Sequence, residues 1–184
     1  ALYFWDHFSG SSHILSNYIG GYASYTLMGG VKGVSNDPLI NSNGDSGSKI
    51  PLRYISLNQG FFIHAFLDSN LANSTTIVSG GDVVFKNSQR VYKTEVDGAS
   101  ISFRTHNLNS LDIEEREIFR IMIKTPSGIY RQLLAGVDTN TSSSYDIGYD
   151  APLIDNVFED CFWVFNDSKF IIQAVNNFDD SQVL

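Results

Sequence analysis

Short apolar runs rich in Phe, Tyr, Ile and Val recur along the chain, separated by Gly, Asn, Asp and Ser. Runs of this kind are typical of β-strands bounded by turns. The predicted strands are Leu2–Trp5, Tyr22–Met28, Gly60–Leu67, Asp82–Lys86, Ser100–Arg104, Glu117–Thr125, Tyr130–Val137, Cys161–Phe165 and Lys169–Ala174. Helical periodicity is absent over any dozen residues, and only residues 112–117 and 151–158 are predicted to form single helical turns. The pattern therefore predicts one all-β domain over residues 1–184, an antiparallel, jelly-roll-like β-sandwich.

Alternation is clearest between Glu117 and Thr125. Phe119, Ile121 and Ile123 fall on one face of this predicted strand, and Arg120 lies on the other. The Pro-Ser-Gly sequence at 126–128 follows directly and predicts a hairpin turn into the next strand.

Three polar segments are predicted to be long loops: Gly29–Lys49, Asp68–Thr76 and Asp138–Asp150. Long loops on a β-sandwich commonly carry recognition sites. Such segments are also often plain solvated connectors, and the sequence leaves both interpretations open.

The net charge of the chain argues against two classes of partner. The 184 residues include 12 basic and 20 acidic side chains, a net charge of −8. A surface of this sign repels phosphate, so we expect neither nucleic acid nor an anionic membrane as a partner. No run of about 18 apolar residues occurs, so we expect no membrane insertion.

The chain ends and the single cysteine each lead to one expectation. The chain starts at Ala1 in strand-like sequence and ends at Leu184, so we expect it to be excised from a larger protein. Cys161 has no partner for an internal disulfide, and we expect it to be a small buried apolar side chain.

Motifs for catalysis are not found in the sequence. Its four histidines lie in no nucleophile motif, and neither a Gly-x-Ser-x-Gly elbow nor a phosphate-binding glycine motif occurs. No pair of carboxylates is placed by the strand pattern for glycoside hydrolysis. We therefore expect a protein that is not an enzyme and has no cofactor, although an unrecognised polysaccharide-active hydrolase is kept as a third alternative.

Calcium is the one metal that the acidic loops suggest. Asp138, Asp146 and Asp150 could converge in one loop with backbone carbonyls, and oxygen ligands of this kind suit Ca²⁺. Asn41, Asn43 and Asp45 form a weaker set, without the helices or the Glu of an EF-hand. The alternative is that these acids cap turns and keep the surface soluble.

Aromatic side chains are the candidate platforms for carbohydrate. Most of them must lie in the core, because a soluble protein exposes few large apolar surfaces. Trp5, Tyr22 and Tyr145 are the predicted ligand-binding residues.

Four short sequence motifs occur in order along most of the chain. They are Leu2-Tyr3-Phe4-Trp5-Asp6 with Tyr22-Ala23-Ser24-Tyr25 and Met28-Gly29-Gly30; Leu57-Asn58-Gln59-Gly60-Phe61-Phe62-Ile63-His64-Ala65; Gly81-Asp82-Val83-Val84-Phe85-Lys86-Asn87-Ser88-Gln89-Arg90-Val91; and Gly136-Val137-Asp138 with Tyr145-Asp146 and Tyr149-Asp150-Ala151. Together they resemble a β-sandwich module of large secreted Bacteroidetes proteins, which often precedes the C-terminal sorting domain of type IX secretion. Such modules open with a Gly-Trp-Asn-Leu and Asn-Pro-Tyr-Pro pattern that this chain lacks. The resemblance implies secretion and β-structure, and it supplies no catalytic residues.

These observations predict a non-catalytic secreted or cell-surface module. In one interpretation it is adhesin-like or glycan-binding, with a glycan or surface polysaccharide as its partner. In the alternative it is a structural spacer that presents neighbouring domains of the same chain or the sorting signal.

Overall fold

The computed structural model describes residues 1–9, 14, 19–35, 47, 49–65, 82–92, 100–101, 116–155 and 157–178. These residues form an almost entirely β structure, which confirms the predicted class. Their only helical element is a 3₁₀ turn at Asn87–Gln89. The strands are β1 (Leu2–Ser9), β2 (Ile19–Thr26), β3 (Gly29–Val31), β4 (Tyr54–Ile55), β5 (Phe62–Ile63), β6 (Ser100–Ile101), β7 (Ile118–Lys124), β8 (Tyr130–Val137), β9 (Ala151–Pro152), β10 (Trp163–Phe165) and β11 (Ser168–Val175).

The first sheet has the strand order β3-β2-β1-β5, and all its neighbouring strands are antiparallel. Trp5 on β1 lies directly opposite Tyr22 on β2. On β2, Gly21 packs so closely against the backbone carbonyl of Val34 that any side chain at this position would collide with it.

The second sheet has the order β10-β11-β8-β7, with β9 also paired to β11. The β7–β8 and β10–β11 pairs are antiparallel, whereas β8 and β11 are parallel, with Leu134 opposite Ile172. The sheet is therefore mixed, and not wholly antiparallel as the strand pattern predicts. The reason is the long connection between β8 and β11, which returns the chain to its starting end, as a parallel neighbour requires. A third, two-stranded pairing joins β4 and β6 in parallel.

Two tight turns close the hairpins of the second sheet. The turn predicted at Pro126–Gly128 is confirmed: the Thr125 amide donates to the Ile129 carbonyl at 2.8 Å. The turn between β10 and β11 has Asn166 at φ 45° and Asp167 at φ 63°. Consecutive positive φ values match the twist of a two-residue hairpin, and Asn and Asp tolerate them better than most residues.

One hydrophobic core joins the two larger sheets. Met28 and Val31, from the β2–β3 hairpin, pack with residues of β8 and β11 such as Leu134 and Ile172. The Tyr3 hydroxyl on β1 also donates to the Pro152 carbonyl on β9, at 2.8 Å. This arrangement is consistent with an all-β sandwich. The jelly-roll connectivity and the single domain over residues 1–184 stay predictions, because they include residues outside the described ranges.

Both faces of the second sheet are covered near β8, where every residue from Arg131 to Gly136 is buried. On β7, Ile121 and Ile123 pack against the core as predicted, but Phe119 is 45% exposed. Arg120, predicted on the polar face, reaches the first sheet and donates to the Gly30 carbonyl at 2.7 Å.

Several predicted elements are wrong. Residues 82–86 form no strand and are exposed throughout, because a β-prone sequence forms a strand only where a partner supplies the ladder. Of residues 151–158, predicted as a helical turn, Ala151 and Pro152 form β9, and residues 153–155, 157 and 158 are not helical. The segment predicted as a loop from Gly29 begins with strand β3.

Other expectations are met in part or fall outside the described ranges. Of the predicted strand Gly60–Leu67 the structure describes residues 60–65, and among these only Phe62–Ile63 form a strand. Cys161 is free and half-buried, packed against the core. The predicted loop Asp68–Thr76 lies outside the described residues. In the described ranges, no helix has the length and apolar character needed to cross a membrane.

Candidate ligand-binding cleft

An open cleft of about 620 Å³ lies where the end of β5 meets β9, β10 and β11. Its apolar walls come from Tyr145, Pro152, Leu153, Phe165 and Phe170. Its polar groups come from His64, Asn166, Ser168 and Lys169. Apolar walls with a few convergent polar groups are typical of small-ligand sites.

Tyr145 forms the aromatic floor of this cleft together with Phe170. Their ring centroids are 5.6 Å apart and the planes are inclined by 28°, a stacked arrangement. Phe170 is buried on β11, so it fixes the ring of Tyr145 from behind. Burial, followed by the nearby Asp150 carboxylate, raises the pKa of Tyr145 to about 12. Its hydroxyl is therefore protonated at neutral pH and able to donate a hydrogen bond.

The β10–β11 hairpin supplies most of the polar rim. Its turn places Asn166 and Ser168 at the cleft, next to Lys169. The Lys169 ammonium lies over the ring of Phe162, 4.3 Å from its centroid. This cation–π contact favours one position of the long side chain.

His64 enters the cleft from the chain that follows β5. Its side chain is half-buried, and this burial lowers its pKa below the ordinary value. The imidazole is therefore neutral at pH 7, with one nitrogen as donor and the other as acceptor.

A row of three aromatic rings lies beside the cleft on the first sheet. Trp5 and Tyr22 meet edge to face at 5.1 Å, and Tyr22 meets Phe62 in the same way at 5.6 Å. Tyr3 connects this row with the cleft, since it pairs with Phe62 across the sheet and donates to the carbonyl of Pro152 in the cleft wall.

The three predicted platform residues thus occupy two places. Tyr145 lines the cleft, whereas Trp5 and Tyr22 contact each other in the neighbouring row. Sequence reasoning did not identify His64 or Lys169 as part of a site. Nothing in their spacing reveals it, because His64 and the β10–β11 hairpin are brought together only by the fold.

The three acids of the predicted calcium loop are each bonded to neighbouring polar groups. Asp138 accepts hydrogen bonds from the Asn140 amide and side chain at 2.9 and 2.8 Å, which lowers its pKa. Asp146 accepts from the Ser142 amide at 2.6 Å and from the Ser142 hydroxyl. Asp150 accepts from two backbone amides.

This pattern is that of turn-capping carboxylates. Over the described part of the chain, no three side chains of His, Cys, Asp or Glu are grouped to hold a metal ion. Calcium binding by Asp138, Asp146 and Asp150 stays a prediction. The weaker set of Asn41, Asn43 and Asp45 lies outside the described residues.

Asp150 is a buried acid whose pKa is raised. It is 1% exposed, and burial raises its pKa to about 6 despite the hydrogen bonds that favour its charged form. Its two oxygens accept from the amides of Asp146 and Ala174, both at 2.7 Å. A carboxylate directed at backbone amides and closed from solvent is placed to hold the loop against β11, not to protonate a ligand.

Arg131 forms a buried ion-pair cluster that sequence reasoning missed. Its guanidinium binds Asp160 through two hydrogen bonds of 2.7 Å and lies 3.4 Å from Asp155. Asp155 in turn accepts a hydrogen bond from the Tyr22 amide on the first sheet. The signal available in the sequence is an arginine inside a mostly apolar predicted strand. The cluster connects β8 with the segment before β10. Through the Tyr22 amide it also connects β8 with the row of three aromatic rings.

No family model, no curated protein and no solved structure matches this chain. The resemblance to a secreted Bacteroidetes module therefore stays a prediction, and the candidate site is argued from its own geometry.

Proposed function

We propose that this chain is a non-catalytic, adhesin-like module of a secreted or cell-surface protein, and that it binds glycans in the cleft. The observation that carries the proposal is the Tyr145 ring, which stacks on Phe170 in a cleft that His64, Asn166 and Ser168 also line. A sugar has apolar C–H faces and many hydroxyl groups. It needs an aromatic surface and several hydrogen-bonding side chains at once, and this cleft offers both.

The arrangement of acids supports the non-catalytic part. Glycoside hydrolysis ordinarily requires two carboxylates on either side of the scissile bond. Among the described residues that line the cleft none is acidic, and the nearby Asp150 is committed to backbone amides. His64 alone does not make an acid–base pair.

Binding is tested by a screen of the purified chain against neutral and acidic polysaccharides. Tyr145→Ala should weaken binding about tenfold or more, as expected for an aromatic residue at the centre of a site. Tyr92→Ala is the matched control, because Tyr92 is 92% exposed and is not among the residues lining the cleft. Equal binding by the Tyr145→Ala variant and the parent chain would refute the cleft as the site.

Two further readouts separate the alternatives. Repeating the screen with Ca²⁺ and then with EDTA tests the predicted loop site at Asp138, Asp146 and Asp150. Release of new reducing ends from a bound polysaccharide would overturn the non-catalytic assignment and favour a hydrolase. Silence across a broad panel, with the protein folded, would favour the structural spacer.

A further inference from the structure

We infer that the site binds a stretch of several consecutive sugar units, and that the row of Trp5, Tyr22 and Phe62 holds the units that extend beyond the cleft. The ligand is then a segment of a glycan chain and not a single sugar. The inference rests on the proposed function, because it names the class of glycan for the same site.

The row lies on the face of the first sheet that is directed at the cleft. Tyr3 and Trp5 are two residues apart on β1, so their side chains share one face. Phe62 lies directly opposite Tyr3 and Tyr22 directly opposite Trp5, and residues opposite each other in antiparallel strands also share a face. His64, two residues after Phe62, lines the cleft itself.

Three contacts hold this face next to the Tyr145 floor of the cleft. The Tyr3 hydroxyl donates to the Pro152 carbonyl in the cleft wall at 2.8 Å. Burial and then the nearby Tyr145 raise the pKa of Tyr3, so the two phenol groups are close to each other. The Tyr22 amide donates to Asp155, three residues after Pro152, at 3.5 Å. The row is therefore a continuation of the cleft wall.

The three rings are accessible and regularly spaced. Phe62 is 59% exposed, and Trp5 and Tyr22 are half-buried. The Trp5 indole lies against the backbone at Gly20, where a Cβ would come within 2.8 Å of the ring. The centroid separations of 5.1 and 5.6 Å are close to the length of one sugar ring along a polysaccharide. Neighbouring sugars of one chain can therefore contact successive rings through their C–H faces.

The shape of the cleft agrees with a chain ligand. The cleft has a volume of about 620 Å³ and is open to the surface. An open cleft that continues into contiguous exposed aromatic rings allows a polymer to leave it and remain bound.

The test is a series of oligosaccharides of one to six units, cut from cellulose, xylan, mannan and polygalacturonate. For a series that binds, the affinity of the parent chain should rise about three- to tenfold between the disaccharide and the tetrasaccharide, a range typical of one added aromatic contact. Titration calorimetry with each length measures this rise.

Four variants complete the design. Trp5→Ala should abolish the rise and leave disaccharide affinity unchanged, whereas Trp5→Phe should keep most of the rise. Tyr145→Ala should weaken binding at every length. Phe85→Ala is the matched control, because Phe85 is 73% exposed and its ring meets Phe61, which packs with Phe4 on the other face of the first sheet. The rise is a ratio within one variant, so a loss of folded protein does not change it.

The two hypotheses fail in different ways. An affinity that does not rise beyond the disaccharide, or a rise that survives in Trp5→Ala, overturns this inference and leaves Tyr145-dependent glycan binding intact. No binding of any oligosaccharide by the folded chain overturns the proposed function and this inference together.

Discussion

Asp150→Asn should change how the stability of the chain depends on pH. In the folded protein the pKa of Asp150 is about 6, raised first of all by burial, against an ordinary value of 3.8. Because one pH unit corresponds to about 1.4 kcal/mol, this difference amounts to about 3 kcal/mol.

The direction in which stability changes with pH follows from how tightly each state binds the Asp150 proton. Between pH 3.8 and 6 the folded state holds the Asp150 proton more tightly than the unfolded chain does, so stability falls as pH rises through this window. The asparagine of the variant does not titrate. The free energy of unfolding of the parent chain, minus that of Asp150→Asn, should therefore fall by about 2.4 kcal/mol between pH 4 and pH 7, the rest of the difference lying below pH 4.

Urea unfolding of both proteins at pH 4, 5, 6 and 7 measures this difference, and effects shared with the other acids cancel. Asp138→Asn is the control. Its pKa lies below the ordinary value of 3.8, so its difference from the parent should stay flat over the same range and change only in stronger acid. A flat or rising difference for Asp150→Asn would refute the argument that burial of this carboxylate outweighs its two hydrogen bonds.

Two further substitutions test the framework of the fold. Arg131→Met should lower the free energy of unfolding by about 3–5 kcal/mol, because it leaves Asp155 and Asp160 without their buried counter-charge. Adding Asp160→Asn should recover part of that loss in urea unfolding, and no recovery would show that packing, not charge, is responsible. Gly21→Ala should cost about 1–3 kcal/mol in the same assay, since its Cβ would collide with a backbone carbonyl. Gly60→Ala, with open space around it, is the control, and equal midpoints for the two alanine variants would contradict the predicted collision.

The sequence predicts best those strands that have a turn or a polar loop directly at both ends. Tyr130–Val137 matches β8 from end to end, because the Pro-Ser-Gly turn precedes it and a polar loop follows. Asp82–Lys86 has an equally β-prone composition and is irregular. Apolar residues predict that a segment can form a strand, but the partner that completes the ladder comes from elsewhere in the chain.

The direction in which two distant strands pair cannot be predicted from the sequence for the same reason. Short turns require antiparallel neighbours, so the β7–β8 and β10–β11 hairpins could be predicted from their turns. The parallel pairing of β8 with β11 depends on the route of residues 138–167, which periodicity does not describe.

The candidate site was predictable only in part. Tyr145 could be proposed from sequence because aromatic residues in polar loops are suited to ligand contact. Its position over Phe170, and its meeting with His64 from a distant part of the chain, depend on tertiary packing. Likewise the position of Arg131 in a mostly apolar strand indicates a buried charge. Which acids pair with it, Asp155 and Asp160, is known only from the fold.

The chain is strongly acidic, but among the described residues that line the cleft none is acidic. Asp146 and Asp150 bind backbone amides, Glu159 binds the amide and hydroxyl of Ser127, and Asp160 pairs with the buried Arg131. Each of these carboxylates is used to hold one part of the chain against another, and none of them lines the cleft. Net charge is a sum over the whole chain, whereas a bound sugar senses only the groups within a few ångströms. The net charge of −8 therefore does not describe the charge that a ligand meets in the cleft.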